Sequence, residues 1–234
     1  MSASMTVSHI PTRRRDESSD IQPLEQGDRL DRKTFHERYA AMLPGTRAEL
    51  IGGIVHMSPP LRADHGTIHS ALIGWLRAYR AATPGLRVLD NATDKLADDS
   101  EPQPDAMLLI EGGQTREDNE GYIVGPPELV AEVASTSQSR DLHIKKQDYE
   151  RHGVKEYLVV VVRDRRAVWF VRANDKFVEI EAAPDGTLRS THFPGLWLDV
   201  DALFRDDDQR LHAVVAQGVS TSEHAAFVTK RSKA

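Results

Sequence analysis

A mixed α/β fold, with a central β-sheet flanked by helices, is the architecture this sequence predicts, on three observations. Residues 106–110, 129–134 and 157–162 are short apolar runs with hydrophobic side chains at successive positions, the pattern of strands covered on both faces. Two helical stretches, 64–82 and 137–153, separate such runs, and paired extended segments flank Gly-Gly and Asp-Gly turns. Strands alternating with helices and hairpins make a layered α/β domain.

Residues 1–27, rich in Ser, Arg, Asp and Pro, read as a disordered tail. Asp31 is placed to cap a helix through Met42, with Phe35, Tyr39 and Met42 on one side, and Pro44-Gly45 ends it. Residues 47–57 predict a hairpin turning at Gly52-Gly53, and Ser58-Pro59-Pro60 breaks it. Asp64 then caps a long helix to Ala82, with Ile68, Leu72, Trp75, Leu76 and Tyr79 along one face. Residues 86–89 form a strand, and 93–96 continue its pairing after a kink at Asn91. A polar loop, 111–127, follows the strand at 106–110. After the strand at 129–134, Ser137 or Ser139 caps the helix that ends at Gly153. The most continuous β-branched run, 157–162, is the central strand, and Asp164-Arg165-Arg166 turns it into 167–172. Residues 176–181 and 187–191 form a further hairpin around Asp185-Gly186, and Asp199 caps a short helix at 200–204. From Arg205 the pattern weakens to a partly helical tail, leaving one domain at 28–204.

A chain of 234 residues can build one sizeable core. It has no cysteine, which excludes disulfides, thiolate metal sites and cysteine nucleophiles. No apolar run reaches the roughly 18 residues that span a bilayer, and the first 20 residues lack the apolar core of a secretory signal. The expected location is cytoplasmic, without a membrane partner. A formal charge of −6 argues against a protein that coats nucleic acid. Residues 140–172, however, carry nine Lys or Arg against five Asp or Glu, a local positive excess. Such a cluster is either a solvated surface or a phosphate-binding one.

Two acids stand out. Asp105 follows Pro104 at a strand start, and Glu132 sits among Val130, Ala131, Val133 and Ala134, apolar on both faces. A buried carboxylate without a cation or hydrogen-bond partner is costly, so Glu132 is either paired or a metal ligand. Asp141, Lys145 and Tyr149 recur at helical spacing downstream and share a face, from which Lys146 points about 100° away.

Pro104-Asp105, Glu132-Val133-Ala134-Ser135, Asp141-x-x-x-Lys145-x-x-x-Tyr149 and Gly153-Val154-Lys155-Glu156-Tyr157, in that order, resemble the Uma2-like endonuclease family of the PD-(D/E)XK superfamily. Glu49-Leu50-Ile51-Gly52-Gly53, Ser58-Pro59 with His65, and 193–198 extend the resemblance over roughly residues 30 to 204. It implies a restriction-endonuclease-like fold and hydrolysis of nucleic acid, DNA first. It also implies a Mg²⁺ ion, with Mn²⁺ as substitute, on Asp105 and Glu132. Oxygen ligands and only one or two carboxylates suit that ion. Lys145 becomes the catalytic cation, and Glu49 an auxiliary acid reaching the metal through water. The parent superfamily places its lysine two residues after the acid, where this chain has Ala134.

His65, Lys155, Arg165 and Arg166 are candidate substrate contacts, His65 equally readable as a helix-surface histidine. His65 and His69 have a spacing that can hold one metal, but the Glu a zinc protease needs beside the first His is Gly66. Ser135 lacks a nucleophile elbow. The alternative function is a non-catalytic nucleic-acid-binding or regulatory module on the same fold. A homodimer is left open.

Overall fold

The computed structural model describes residues 21–135 and 137–232. In chain order these form α1 (Arg32–Ala40), β1 (Ala48–Ile51), β2 (Ile54–Met57), α2 (Ala63–Ala82), β3 (Leu86–Asp90), β4 (Asp94–Lys95) and β5 (Ala106–Ile110). Next come β6 (Arg116–Glu117), β7 (Ile123–Val124), β8 (Leu129–Ala134), a π-helical stretch (Arg140–Lys145) that runs into α3 (Lys146–His152), and β9 (Glu156–Val161). The chain closes with β10 (Arg166–Ala173), β11 (Lys176–Glu179), β12 (Thr187–Arg189), β13 (Trp197–Asp199), α4 (Val200–Phe204), α5 (Asp208–Val219) and α6 (Ser222–Arg231).

Six strands make the central sheet, in the order β11-β10-β9-β8-β5-β3. β8 and β9 run parallel, joined by the crossover that carries the π-helical stretch and α3, and the other neighbours are antiparallel. Period-2 alternation divides the sheet's side chains between two cores. Leu108, Ala131, Val133, Leu158, Val160 and Trp169 pack against Leu72, Trp75 and Leu76 of α2. Met107, Val130, Ala134, Tyr157, Val159 and Val161 face the other way, toward Tyr149 of α3. Glu132 lies between Val130 and Ala134 on this second face, the only polar side chain of β8.

Several sequence expectations are corrected. Of the N-terminal tail, 1–20 lie outside the described residues, while 21–27 are docked: Leu24 is buried with Phe35, Leu50 and Val55, and Gly27 N donates to Val55 O. Asp64 falls in the first turn of α2, which starts after Arg62 with no side-chain cap. Asn91 takes φ +49°, and the chain beyond it leaves the sheet, so that β4 pairs in parallel with β7 instead of extending β3. The supposed loop at 111–127 holds β6 and β7. Asp185-Gly186 does not close a hairpin, because β11 pairs with β10 and β12 with β13. Ser139 is already helical and makes no capping bond.

The stretch from Arg205 on is helical and shares the core. Leu211 and Val215 of α5 are buried among the α2 side chains. Gly218 lets α5 approach the 193–197 loop closely, for a Cβ there would collide with Gly195 O. Leu211→Ala is therefore expected to cost about 2–5 kcal/mol, the range for a large aliphatic lost from a packed site. Urea denaturation measures this, and a loss under about 0.5 kcal/mol, usual for surface changes, would mean that α5 is only loosely attached.

Candidate active site

The ladder between β5 and β8 pairs Ala106 with Ala131, so its next step sets Asp105 opposite Glu132. Asp105 Oδ2 accepts the Val133 N–H at 2.7 Å, locking the acid against the neighbouring strand. Asp105 Oδ1 lies 3.3 Å from Nε2 of His65, whose Nδ1 is 3.1 Å from Val133 O. Burial works to raise the Asp105 carboxyl, but the hydrogen bond and charge of His65 outweigh it and hold it below the ordinary range. The same hydrogen bond raises His65.

Glu132 is 4% exposed. Its Oε1 accepts from Lys145 Nζ at 2.8 Å and from Tyr149 Oη at 3.0 Å. Lys145 Nζ also donates to Glu49 Oε1 at 2.7 Å, and Glu49 Oε1 takes the Gln103 N–H at 2.9 Å. One buried ammonium thus ties β1 to β8. Burial would lower Lys145, yet Glu132, Glu49 and Asp141 together hold it above its ordinary value. Burial pushes the Glu132 carboxyl up, against the pull of Lys145. Asp141 is likewise raised by burial; its Oδ2 accepts from Ser137 Oγ and its Oδ1 has no hydrogen-bond partner among the described residues.

Lys145 closes the π-helical stretch and α3 starts at Lys146. Such wide turns are rare and are frequently found at functional sites. Here the turn delivers Lys145 into the carboxylates, while Lys146 faces away, 4.9 Å from the Phe170 ring centroid and 3.7 Å from Glu150. Glu49 contacts Lys145 directly, where the sequence reading had it reaching a metal through water.

A cleft of about 700 Å³, including its open mouth, is lined by Glu49, Asp105, Glu132, Asp141, Lys145 and His65, with Arg47, Arg62 and Arg140 among the other lining residues. A neighbouring hollow continues from Ser135 to Arg62, His143 and Arg163. Not all of the sequence candidates reach this surface. Lys155 precedes β9, whose Glu156 pairs with Leu129, whereas Ala134 at the cleft end pairs with Val161. Glu132, which lines the cleft, pairs with Val159, so at about 3.3 Å per residue Lys155 lies roughly 13 Å along the strand from the nearest cleft acid. Arg165 donates to Phe204 O at 2.8 Å and covers the Phe204 ring, and Arg166 is 3.7 Å from Asp164. Both His65 nitrogens are directed at protein atoms. The flanking cations are Arg47, Arg62, Arg140 and Arg163. Arg47 and Arg62 were legible only as neighbours of the Glu49 and Ser58-Pro59 motifs.

Two further buried acids, Glu156 and Glu128, are held by hydrogen bonds that serve the fold. Glu156, fully buried, accepts from Trp169 Nε1, Ser190 Oγ, Thr191 N, Thr191 Oγ1 and His192 N, which fixes the 190–192 loop to the sheet. Glu128 accepts the Ile110 and Gln114 N–H groups. In contrast, Glu49, Asp105, Glu132 and Asp141 share one cleft.

The family model described as "Putative restriction endonuclease", Uma2, matches residues 33–201. The chain belongs to the Uma2 family. No curated protein matches it. Four solved chains do, among them the crystal structure of "a putative nuclease belonging to DUF820" from Anabaena variabilis. That protein is 16% identical, with a TM-score of 0.58 over 73% of this chain and 97% of its own. The mixed sheet flanked by helices is thus a restriction-endonuclease-like fold, in a family of nuclease type. α5 lies beyond the family match yet packs into the same core.

The residues fit a divalent cation. Glu49 and Glu132 hold Lys145 between them, Asp105 and Asp141 line the same cleft, and these carboxylate oxygens suit a hard ion such as Mg²⁺, while His65 adds an imidazole to the lining.

Proposed function

We propose that the protein is a Mg²⁺-dependent endonuclease that hydrolyses phosphodiester bonds in DNA, Mn²⁺ substituting for Mg²⁺. The observation that carries this reading is the buried Lys145, which bridges Glu49 and Glu132 at the bottom of a cleft with Asp105 opposite Glu132. Asp105 and Glu132 would hold the ion, which supplies charge neutralisation at the phosphate and a more acidic water.

The chain's own groups set the rest. Val133 N–H and His65 fix the Asp105 carboxylate, and Tyr149 fixes Glu132. Lys145, drawn from its carboxylates toward an incoming phosphate, offsets charge that builds in the transition state. The fit of an anionic backbone to the cleft comes from Arg47, Arg62, Arg140 and Arg163.

The test is metal-dependent nicking of supercoiled plasmid, with Glu132→Ala beside the wild type. A second reading, a non-catalytic nucleic-acid-binding module, is favoured by one observation: Lys145 is 2% exposed and already held by two carboxylates. Wild-type protein that binds duplex yet nicks nothing with Mg²⁺ or Mn²⁺ would select that reading.

Binding is expected to depend on salt through the cleft arginines. Each phosphate contact releases about one counterion, so Arg62→Ala/Arg163→Ala should flatten log K against log salt by about 1–2 units. Lys155→Ala should leave the slope alone. Duplex binding by metal-free protein across a salt series measures both, and the opposite ranking would place the interface at the other end of the sheet.

A further inference from the structure

His65 and His69 lie one turn apart on α2, with ring centroids 5.8 Å apart. One ligand atom from each, together with a carboxylate oxygen of Asp105, lies within 4.8 Å of the other two. His65 is 4% exposed. Its Nδ1 faces the carbonyl of Val133 at 3.1 Å, and a carbonyl can only accept, so Nδ1 carries the hydrogen. In the neutral ring Nε2 is then a bare lone pair 3.3 Å from Asp105 Oδ1, and the hydrogen bond between them exists only when the ring carries its second proton. Two acceptors facing each other need a proton or a cation between them.

A backbone carbonyl on one imidazole nitrogen is also the usual way to fix the tautomer of a metal-binding histidine. The separation agrees. Ligands at about 2.0–2.1 Å from a tetrahedral ion sit roughly 3.3–3.4 Å apart, and His65 Nε2 to Asp105 Oδ1 is 3.3 Å.

We propose that His65, His69 and Asp105 form a second metal position for an imidazole-preferring transition ion such as Zn²⁺ or Co²⁺, beside the carboxylate position and sharing Asp105 with it. Imidazole ligation selects such ions over Mg²⁺. His69 Nε2 is 2.9 Å from Asp105 O and 3.1 Å from Asp90 Oδ1, so binding an ion through it exchanges those contacts for a metal bond. The Asp90 side chain is 52% exposed, which opens this side to solvent and offers a fourth oxygen. Gly66, where a zinc protease has its general base, makes the position one for binding and not for peptide hydrolysis.

The test uses the full chain, stripped with a chelator and titrated with Co²⁺, followed by calorimetry and by the visible absorption of the bound ion. Wild type is expected to bind one Co²⁺ per chain on nitrogen and oxygen ligands. His69→Gln, which can still donate to Asp105 O, should weaken binding by at least about tenfold, while Glu132→Ala should keep it. Co²⁺ that does not bind, or binds His69→Gln as tightly as wild type, overturns the site and leaves a proton as the occupant of the gap. Loss in Glu132→Ala equal to that in His69→Gln overturns it too, by assigning the ion to the carboxylate position. The nuclease reading is judged separately, by Mg²⁺-dependent nicking. Absent nicking with the Co²⁺ pattern intact rejects that reading alone.

Discussion

Lys145→Met is expected to destabilise the metal-free protein by about 3–5 kcal/mol, the cost of removing one partner from a buried ion pair. Methionine has similar length and fills the space, so packing contributes little of the loss. What remains is electrostatic. Glu132 Oε1 would keep only the Tyr149 hydroxyl and Glu49 Oε1 only the Gln103 N–H, each carboxylate 4% exposed.

The pH dependence follows from the sign of the shifts. Glu132 and Asp141 are already raised by burial, and removing Lys145 removes the charge that lowers both. A carboxyl with a raised folded-state pKa costs nothing below its unfolded value, near 4, and costs progressively more as pH rises toward the folded one. The deficit of Lys145→Met should therefore widen from pH 5 to pH 7, by up to about 1.4 kcal/mol per pH unit for each such group. Guanidinium denaturation at several pH values measures it. Added Mg²⁺ should narrow the gap, since a cation replaces the missing ammonium. A pH-independent loss below about 1 kcal/mol would show that Lys145 does not compensate these acids.

That dependence on one lysine explains which parts of the site were legible. Glu132 was readable because an acid in a run of Val and Ala contradicts its surroundings, and the two cores place it among apolar side chains. Asp105 and Glu132 are set opposite by strand register, which a Pro-Asp strand start only hints at. The grip of Lys145 on Glu49 was not readable, because it joins residues 96 positions apart. The π-helical stretch has no sequence signature beyond the spacing of Asp141, Lys145 and Tyr149, and an ordinary helix would have served the same expectation. Local charge misled in a simple way. The excess at 140–172 counts Lys145, buried with carboxylates, Lys155, at the far end of β9, and Arg165, laid on Phe204. Arg47 and Arg62, outside that segment, line the cleft. The C-terminal end was misread although its pattern was present: Leu211, Val214, Val215 and Gly218 stand at i, i+3, i+4 and i+7, one face of α5, and are buried.

Glu132→Gln is expected to abolish Mg²⁺ binding and lower nicking by about 10³-fold or more, while folding at least as stably as wild type. The side-chain amide keeps the volume, and its oxygen still accepts from Lys145 and Tyr149 at the positions Glu132 Oε1 now holds. It removes one negative charge from a cleft that also contains Glu49, Asp105 and Asp141, which relieves repulsion among buried like charges. A neutral amide oxygen is a far weaker ligand for a hard dication than a carboxylate, and losing the electrostatic stabilisation of a phosphoryl transition state accounts for two to three orders of magnitude per group. Calorimetric titration with Mn²⁺, nicking and thermal melting read the three consequences on one preparation. If Glu132→Gln nicked within about tenfold of wild type, the carboxylate would not be a metal ligand, and its role would be to hold Lys145 in place. If it melted far lower, the Lys145–Glu132 pair would be holding β8 to the crossover helix, and the buried charges would be serving the fold before the chemistry.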